Sequence, residues 1–191
     1  IDNANTYFNN ALALSPNTPT LWNEAARFDL AARKDSANAL KKIERSISLD
    51  PKWVETYNTL GDIWTQLAAE EKDESKRRES YQKAISAYQQ SIEAEKFRGV
   101  ELARQISTRV SLGAAQKAVG NYDAAVATYQ DILKIAGTSF NVWEVHRAMA
   151  ETYLEKGDKT NALDYANKAL SIAPTETDKT TVRGLIEKIG K

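Results

Sequence analysis

Few residue types in this chain could carry out acid–base or nucleophilic chemistry. His146 is the one histidine among 191 residues, and the sequence contains no cysteine. A thiolate nucleophile, a thiolate metal site and a disulfide framework are therefore excluded. His146 lies beside Trp143 in a helical pattern, where a partly buried spacer is a better interpretation than a catalytic base. We expect no catalytic residue.

Carboxylates are abundant, but no known catalytic or metal motif organises them. The sequence has no H-E-x-x-H, glycine-rich phosphate loop, G-x-S-x-G elbow or calcium loop. The densest run, residues 70–74, has Lys72 inside it and Lys76 just after it. This mixture favours a solvated charged surface over a site for a hard cation. We predict no metal, no cofactor and no enzymatic activity.

The overall charge and hydropathy argue against nucleic acid and membranes as partners. The 26 basic and 26 acidic residues balance to zero net charge, which argues against nucleic acid because phosphate binding needs a concentrated basic surface. No apolar run approaches the ~18 residues of a membrane span, so we predict no membrane contact from this segment. The missing cysteines slightly favour the cytoplasm but also suit a secreted protein. Because the sequence starts at Ile1 without a signal-like segment, we expect a piece of a longer protein.

The helical elements recur along the chain. Three similar helix endings appear, ALALSP at 11–16, SISLDP at 46–51 and ALSIAP at 169–174, and the run from Tyr57 to Trp64 reads Y-x2-L-G-x2-W. These residues resemble the tetratricopeptide repeat, whose 34-residue unit reads W-x2-L-G-x2-Y and then A-x3-F-x2-A-x4-P. The resemblance covers nearly the whole chain. It implies an all-α fold, a right-handed superhelical stack of antiparallel helix pairs, or α-solenoid.

The register of this pattern predicts a single repeat domain over residues 1–191. Its parts are an orphan second helix at 1–16, helix pairs at 17–51, 52–96, 97–137 and 138–174, and a capping helix at 175–191. The first pair is degenerate, because Asp29 stands where the pattern has an aromatic residue. In the second pair the second helix arrives eleven residues late. The extra segment includes residues 70–80, for which a helical protrusion and a plain charged turn are both open.

The resemblance also implies a binding site. In tetratricopeptide proteins the first helices line a concave groove that binds peptides, and amide and guanidinium side chains there can hold peptide backbone and carboxylate groups. The aligned groove positions are Asn23, Arg27, Asn58, Asp62, Gln66, Ser107, Ser111, Arg147 and Glu151. One family version clamps a C-terminal carboxylate with a Lys/Asn/Asn/Lys/Arg set. This sequence matches fragments of that set and has Asp62 in the groove, so we do not predict chaperone-tail binding. Solvated polar residues with no ligand are the competing interpretation.

Three functional hypotheses follow from the sequence. The first is a non-catalytic scaffold that binds a peptide or protein segment of unknown identity in the groove. The second is a soluble accessory domain of a larger, membrane-bound enzyme, because ALALSPNTPTLWNEAA is similar to tails of O-antigen ligase-like glycan polymerases. The third is self-association through the orphan N-terminal helix, whose apolar surface would otherwise be exposed.

Overall fold

The computed structural model describes residues 2–137 and 141–191. Within these ranges the chain has ten α-helices and no strand, and 84% of the structure is helical. The prediction of an all-α fold is confirmed. The helices are α1 (Asp2–Leu14), α2 (Pro19–Phe28), α3 (Ser36–Leu49), α4 (Val54–Glu70), α5 (Glu74–Ala94), α6 (Leu102–Ala118), α7 (Tyr122–Ala136), α8 (Trp143–Lys156), α9 (Lys159–Ile172) and α10 (Glu176–Gly190).

The helices form two compact units, Ile1–Val100 and Glu101–Lys191. In unit 1, α1 packs on α2, α2 pairs with α3, and α4 pairs with α5. In unit 2, α6 pairs with α7, α8 pairs with α9, and α10 packs on α9. Consecutive helices in each unit are therefore neighbours, as expected for stacked helical hairpins. The start of the predicted pair 138–174 lies outside the described residues.

Aspartate side chains begin three of the second helices. The carboxylate oxygens of Asp35, Asp73 and Asp158 accept from the backbone N–H three residues later, at 3.1, 2.9 and 3.0 Å. These bonds satisfy N–H groups that the first helical turn leaves without partners. The α10 helix begins with a reciprocal capping box between Thr175 and Asp178. Gly157 ends α8 in the left-handed region, with φ at 87°.

Glycine permits the closest helix contacts in both units. A Cβ atom added at Gly61 would lie 2.4 Å from the Tyr88 ring, and one added at Gly113 would lie 2.5 Å from the Tyr129 ring. Tyr88 and Tyr129 are both buried. In these two pairs, α4 with α5 and α6 with α7, the first helix therefore approaches the tyrosine of the second helix more closely than any side chain would allow.

Small residues and hydroxyl groups pack in the core beside larger aliphatic side chains. Buried alanines line the packed helix faces, among them Ala26 and Ala39 in unit 1 and Ala150 and Ala162 in unit 2. Two serines replace alanine at the pattern's small position in the second helix. Ser46 donates to the Pro19 carbonyl at 2.8 Å, and Ser91 donates to the Val54 carbonyl at 3.1 Å. Each serine thus ties a second helix to the start of its partner.

Asp29 is the most unusual core residue. It is fully buried at the start of a π-helical turn, Asp29–Arg33, which continues α2. Its carboxylate lies 2.6 Å from Lys42 Nζ and 3.0 Å from Arg33 Nη1. A buried carboxylate with two cationic partners therefore occupies the position where the repeat pattern has an aromatic ring.

Candidate binding surface

The α4 helix of unit 1 presents an acidic face. It contains Glu55, Asp62 and Glu70 and no lysine or arginine. Seven residues are close to two helical turns, so Glu55 and Asp62 share one face. Gln66 lies one turn beyond Asp62, and its amide donates to Glu70 at 2.9 Å. We call this exposed side of α4 the acidic face.

Asp62 is held in place by a residue of the second helix. The Tyr88 hydroxyl donates to Asp62 Oδ1 at 2.8 Å and lies 3.3 Å from the Thr65 hydroxyl. The Tyr88 ring reaches this point because it crosses α4 directly over Gly61. One residue thus fixes the packing of the helix pair and orients a carboxylate on its surface.

The environment of Asp62 disfavours its charge. Displacement of water by the surrounding protein raises the pKa of the Asp62 carboxyl, and this effect outweighs the Tyr88 hydrogen bond and the Arg27 charge, which lower it. Within the described part of the chain no lysine or arginine forms an ion pair with Asp62. The carboxylate is nevertheless partly exposed to water. A cation brought by a partner would therefore find an anion without a competing ion pair.

The other groove candidates of unit 1 differ in accessibility. Arg27 is exposed and bound to Glu24, with NH1 3.0 Å from Oε1. Asn58 and Gln66 are half-buried on α4. Asn23 departs from the expectation, because α2 packs against both α3 and α4 and leaves the side chain with no exposed surface. Asn23 therefore offers a partner no direct contact in this structure.

In unit 2, Arg147 and Glu151 are joined in one charge network. The Arg147 guanidinium donates to Glu151 Oε1 one helical turn away. Lys117 Nζ of α6 lies 3.6 Å from Glu151 Oε2 and 3.1 Å from Glu155 Oε1. The charges that register alignment assigns to a ligand thus already neutralise each other between α6 and α8.

The hydroxyl of Tyr129 lies close enough to this network to be influenced by the charges of Glu151, Arg147 and Glu155. Burial raises the pKa of its hydroxyl to about 12, with a further contribution from the Glu151 charge. In both units a tyrosine of a second helix crosses a glycine of the first helix and ends near a carboxylate of the candidate surface.

The N-terminal half of α8 and the middle of α6 enclose a cavity of about 320 Å³. We call it the α6–α8 cavity. Arg147 forms part of its wall, as do Ile106 and Val110, which precede Ser107 and Ser111 in the chain. Ser107 is exposed and Ser111 is half-buried. The lining residues are Ile106, Val110, Asn141, Val142, Glu144, Val145, Arg147 and Ala148. Of these, register alignment selects Arg147 alone.

His146 packs beside two tyrosine rings. Its ring centroid lies 5.9 Å from that of Tyr165, which in turn stacks on Tyr153 at 5.5 Å. Burial lowers the pKa of His146, and the charge of Lys168 acts in the same direction. Within the described ranges, no three histidine, aspartate or glutamate side chains are placed to hold a metal ion. No helix there has both the length and the apolar content of a membrane span.

Comparison with known proteins shows which fold this architecture belongs to. A model of the tetratricopeptide repeat matches residues 148–176. The TTC0263 protein of Thermus thermophilus, a solved tetratricopeptide structure, superposes with a TM-score of 0.69 at 22% identity, over 98% of this chain and 89% of that one. The chain has the tetratricopeptide-repeat fold. No curated protein matches it in sequence.

Two further solved structures are similar at the level of the fold. MamA superposes with a TM-score of 0.71 at 20% identity, over 94% of this chain and 91% of that one. The APC/C hetero-tetramer Cut9–Hcn1 gives 0.63 at 20% identity. There the match covers 100% of this chain and 39% of the other.

The family model matches one tetratricopeptide repeat of this chain. The matched segment contains the second half of α8, all of α9 and the first residue of α10. Earlier repeats depart from the pattern. Asp29 replaces an aromatic ring, and Tyr88 lies 27 residues after Gly61 whereas Tyr129 lies 16 after Gly113. The spacing thus differs by eleven residues, the delay seen in the sequence, although the Gly–Tyr contact is the same.

Proposed function

We propose that this chain is a non-catalytic scaffold that binds a peptide or protein segment on the surfaces lined by its first helices. Repeat proteins of this class use such surfaces for binding. The observation that carries the proposal is Asp62, a partly exposed carboxylate that Tyr88 orients and that forms no ion pair with a lysine or arginine of the described residues. The hydrogen bond from the tyrosine restricts the conformations of the carboxylate before a partner binds. Binding therefore loses less side-chain entropy, which favours recognition at this position.

The comparisons support the class of function and leave the partner open. One solved structure with this fold is an assembly of Cut9 with Hcn1. At 20% identity this likeness concerns the fold, so we carry over the idea of a protein partner and not its identity.

Selection from a random 12-residue peptide library, followed by calorimetry on the full chain, tests the proposal. We expect the paired change Asp62→Ala and Arg147→Ala to weaken binding of selected peptides about tenfold or more, a loss of at least ~1.4 kcal/mol. The matched control is Asp131→Ala with Lys134→Ala, an exposed ion pair on the second helix α7. Equal affinity for the first variant, or loss in the control, would contradict the assignment of the surface.

Self-association through α1 stays a prediction. Tyr7 and Leu14 of this helix are 75% and 86% exposed, while Phe8 contacts Phe28 of α2 at 5.3 Å between ring centroids. Light scattering of wild type beside Leu14→Ser, with both strictly monomeric at high concentration, would remove the hypothesis. The accessory-domain hypothesis also stays a prediction, and the complete reading frame would decide it.

A further inference from the structure

The α6–α8 cavity has the size and lining of a receptor for one apolar side chain. Its volume, about 320 Å³, exceeds the ~150 Å³ that holds benzene in an engineered protein core. Five of the eight lining residues are apolar, namely Ile106, Val110, Val142, Val145 and Ala148. Val110 is 39% exposed although it is a large hydrophobic residue. The cavity is therefore open to water and bordered by apolar groups that lose that water when a ligand enters.

Glu144 is the one carboxylate among the eight lining residues of the cavity. The one cation among them, Arg147, is bound to Glu151. Glu144 is exposed, lines the cavity and makes no ion pair within the described residues. A positive group of a partner would meet this carboxylate without displacing an existing pair.

From this combination we infer that the α6–α8 cavity binds a leucine-, methionine- or phenylalanine-sized side chain of a protein segment that carries a lysine or arginine nearby, with Glu144 contacting the cation. The inference rests on the proposed scaffold function and names the chemistry of its partner. Apolar insertion supplies affinity, while the charge pair at the exposed rim sets orientation and partner choice. An acidic segment would place a like charge beside Glu144 and would be disfavoured.

Selection of random 12-residue peptides on the wild-type chain gives the first test. We expect the enriched sequences to share an apolar residue with a lysine or arginine within four positions. Two fluorescein-labelled peptides made from the consensus, one with the lysine and one with glutamate at that position, then serve as probes. The lysine peptide should bind at least tenfold more tightly, and its advantage should shrink as salt is raised.

Two substitutions separate the cavity from the charge. Val110→Gln places a polar group in the cavity and should weaken both peptides at least fivefold. Glu144→Lys should reverse the preference, so that the glutamate peptide binds more tightly than the lysine peptide. Circular dichroism checks the fold of each variant, and Val110→Ala replaces Val110→Gln if the latter does not fold. Asp131→Ala on α7 is the control and should bind both probes as wild type does.

The outcomes distinguish this inference from the proposed function. An acidic consensus, or a basic consensus whose binding ignores both Glu144→Lys and Val110→Gln, overturns the inference while a scaffold remains. Failure to enrich any peptide, repeated with an independent library, overturns both. Reversal of preference by Glu144→Lys together with loss in the Val110 variant supports the cavity and its cationic partner.

Discussion

At the scale of single residues, Gly61 sets the distance between two helices and, through Tyr88, the position of Asp62. A Cβ atom at residue 61 would overlap three atoms of the Tyr88 ring at 2.4 to 2.7 Å. The ring is buried, so it has little space into which to move. The glycine therefore connects the packing of the core to the geometry of the acidic face.

Gly61→Ala should lower the free energy of unfolding by about 1–3 kcal/mol, because overpacking a dense core displaces side chains and backbone. Gly184→Ala in α10 is the matched control, since a Cβ there meets nothing within 4 Å. Alanine in a helix interior is favoured over glycine by roughly 0.5–1 kcal/mol, so the control should be stabilised. Urea unfolding of the two variants measures both effects, and the same sign for both would contradict the packing argument.

Asp62 gives a pH dependence with a definite sign. Its pKa in the folded protein is raised above the ordinary value of 3.8. The folded state therefore binds a proton more readily than the unfolded chain, and this contribution stabilises the protein as pH falls through the raised pKa. Asp62→Asn should accordingly unfold at a higher temperature than wild type at neutral pH, and the difference should disappear below pH 3.8.

Carbon-detected NMR titration of the Asp62 carboxyl tests the same point directly. Tyr88→Phe removes a hydrogen bond that favours the charged form, so it should move the pKa of Asp62 still higher. A downward move in this variant would show that the hydroxyl does not contact the carboxylate.

At the scale of the elements, the π-helical turn Asp29–Arg33 replaces aromatic packing by charge. The carboxylate of Asp29 is fully buried, whereas the side chains of Lys42 and Arg33 are 15% and 31% exposed. An unpaired buried carboxylate would be costly, so both cations and the turn that admits them must form together. Arg33 lies within 3.0 Å of Asp29 at the i,i+4 spacing that places two helical side chains side by side.

Asp29→Ala should destabilise the chain by about 3 kcal/mol, because it leaves Lys42 without its carboxylate partner and opens a space in the core, while Arg33 keeps Asp35 at 3.8 Å. Asp29→Leu combined with Lys42→Leu should recover much of that loss, since apolar residues can replace a buried ion pair without penalty. Thermal unfolding of the single and double variants decides this. A double variant as unstable as Asp29→Ala would mean that the charges are required for the turn itself.

The element boundaries show which sequence signals are reliable. Thr18-Pro19 correctly predicts the start of α2, because proline is favoured at the first helical position. The similar pair Asp50-Pro51 predicts the start of α4, but that helix begins at Val54. The segment 50–53 instead forms a turn, with the Trp53 N–H donating to the Asp50 carbonyl at 3.3 Å. The same residue types favour turns and helix N-caps, and tertiary packing determines which of the two structures forms.

At the scale of the molecule, the fold was predictable and the candidate surface partly so. Small residues at fixed offsets predict hairpin packing, because two helices can approach closely only where their side chains are small. Gly61 was identifiable from the sequence for this reason. The candidate surface depends on contacts between helices, and the repeat pattern does not predict those contacts. Alignment placed Asn23 in the groove, where packing on α4 buries it, and missed the open carboxylate of Glu144 and the apolar wall at Val110.

For residues 70–80 the sequence allows both a protrusion and a turn, and the structure contains a part of each. Helix α4 ends at Glu70, a short connection follows, and α5 begins at Glu74. The added eleven residues amount to about three helical turns, so the apolar sides of the pair keep their orientation. The side chains from Lys72 to Glu79 are all exposed.

This exposed tip offers a place for a reporter. The sequence lacks cysteine, so Ser75→Cys would create a unique thiol for a maleimide dye. The attachment point is solvent-exposed in the first turn of α5, beyond the buried Ala84 and Tyr88. Fluorescence anisotropy from that position would follow complex formation by any partner while leaving the native tryptophans free as an independent optical signal.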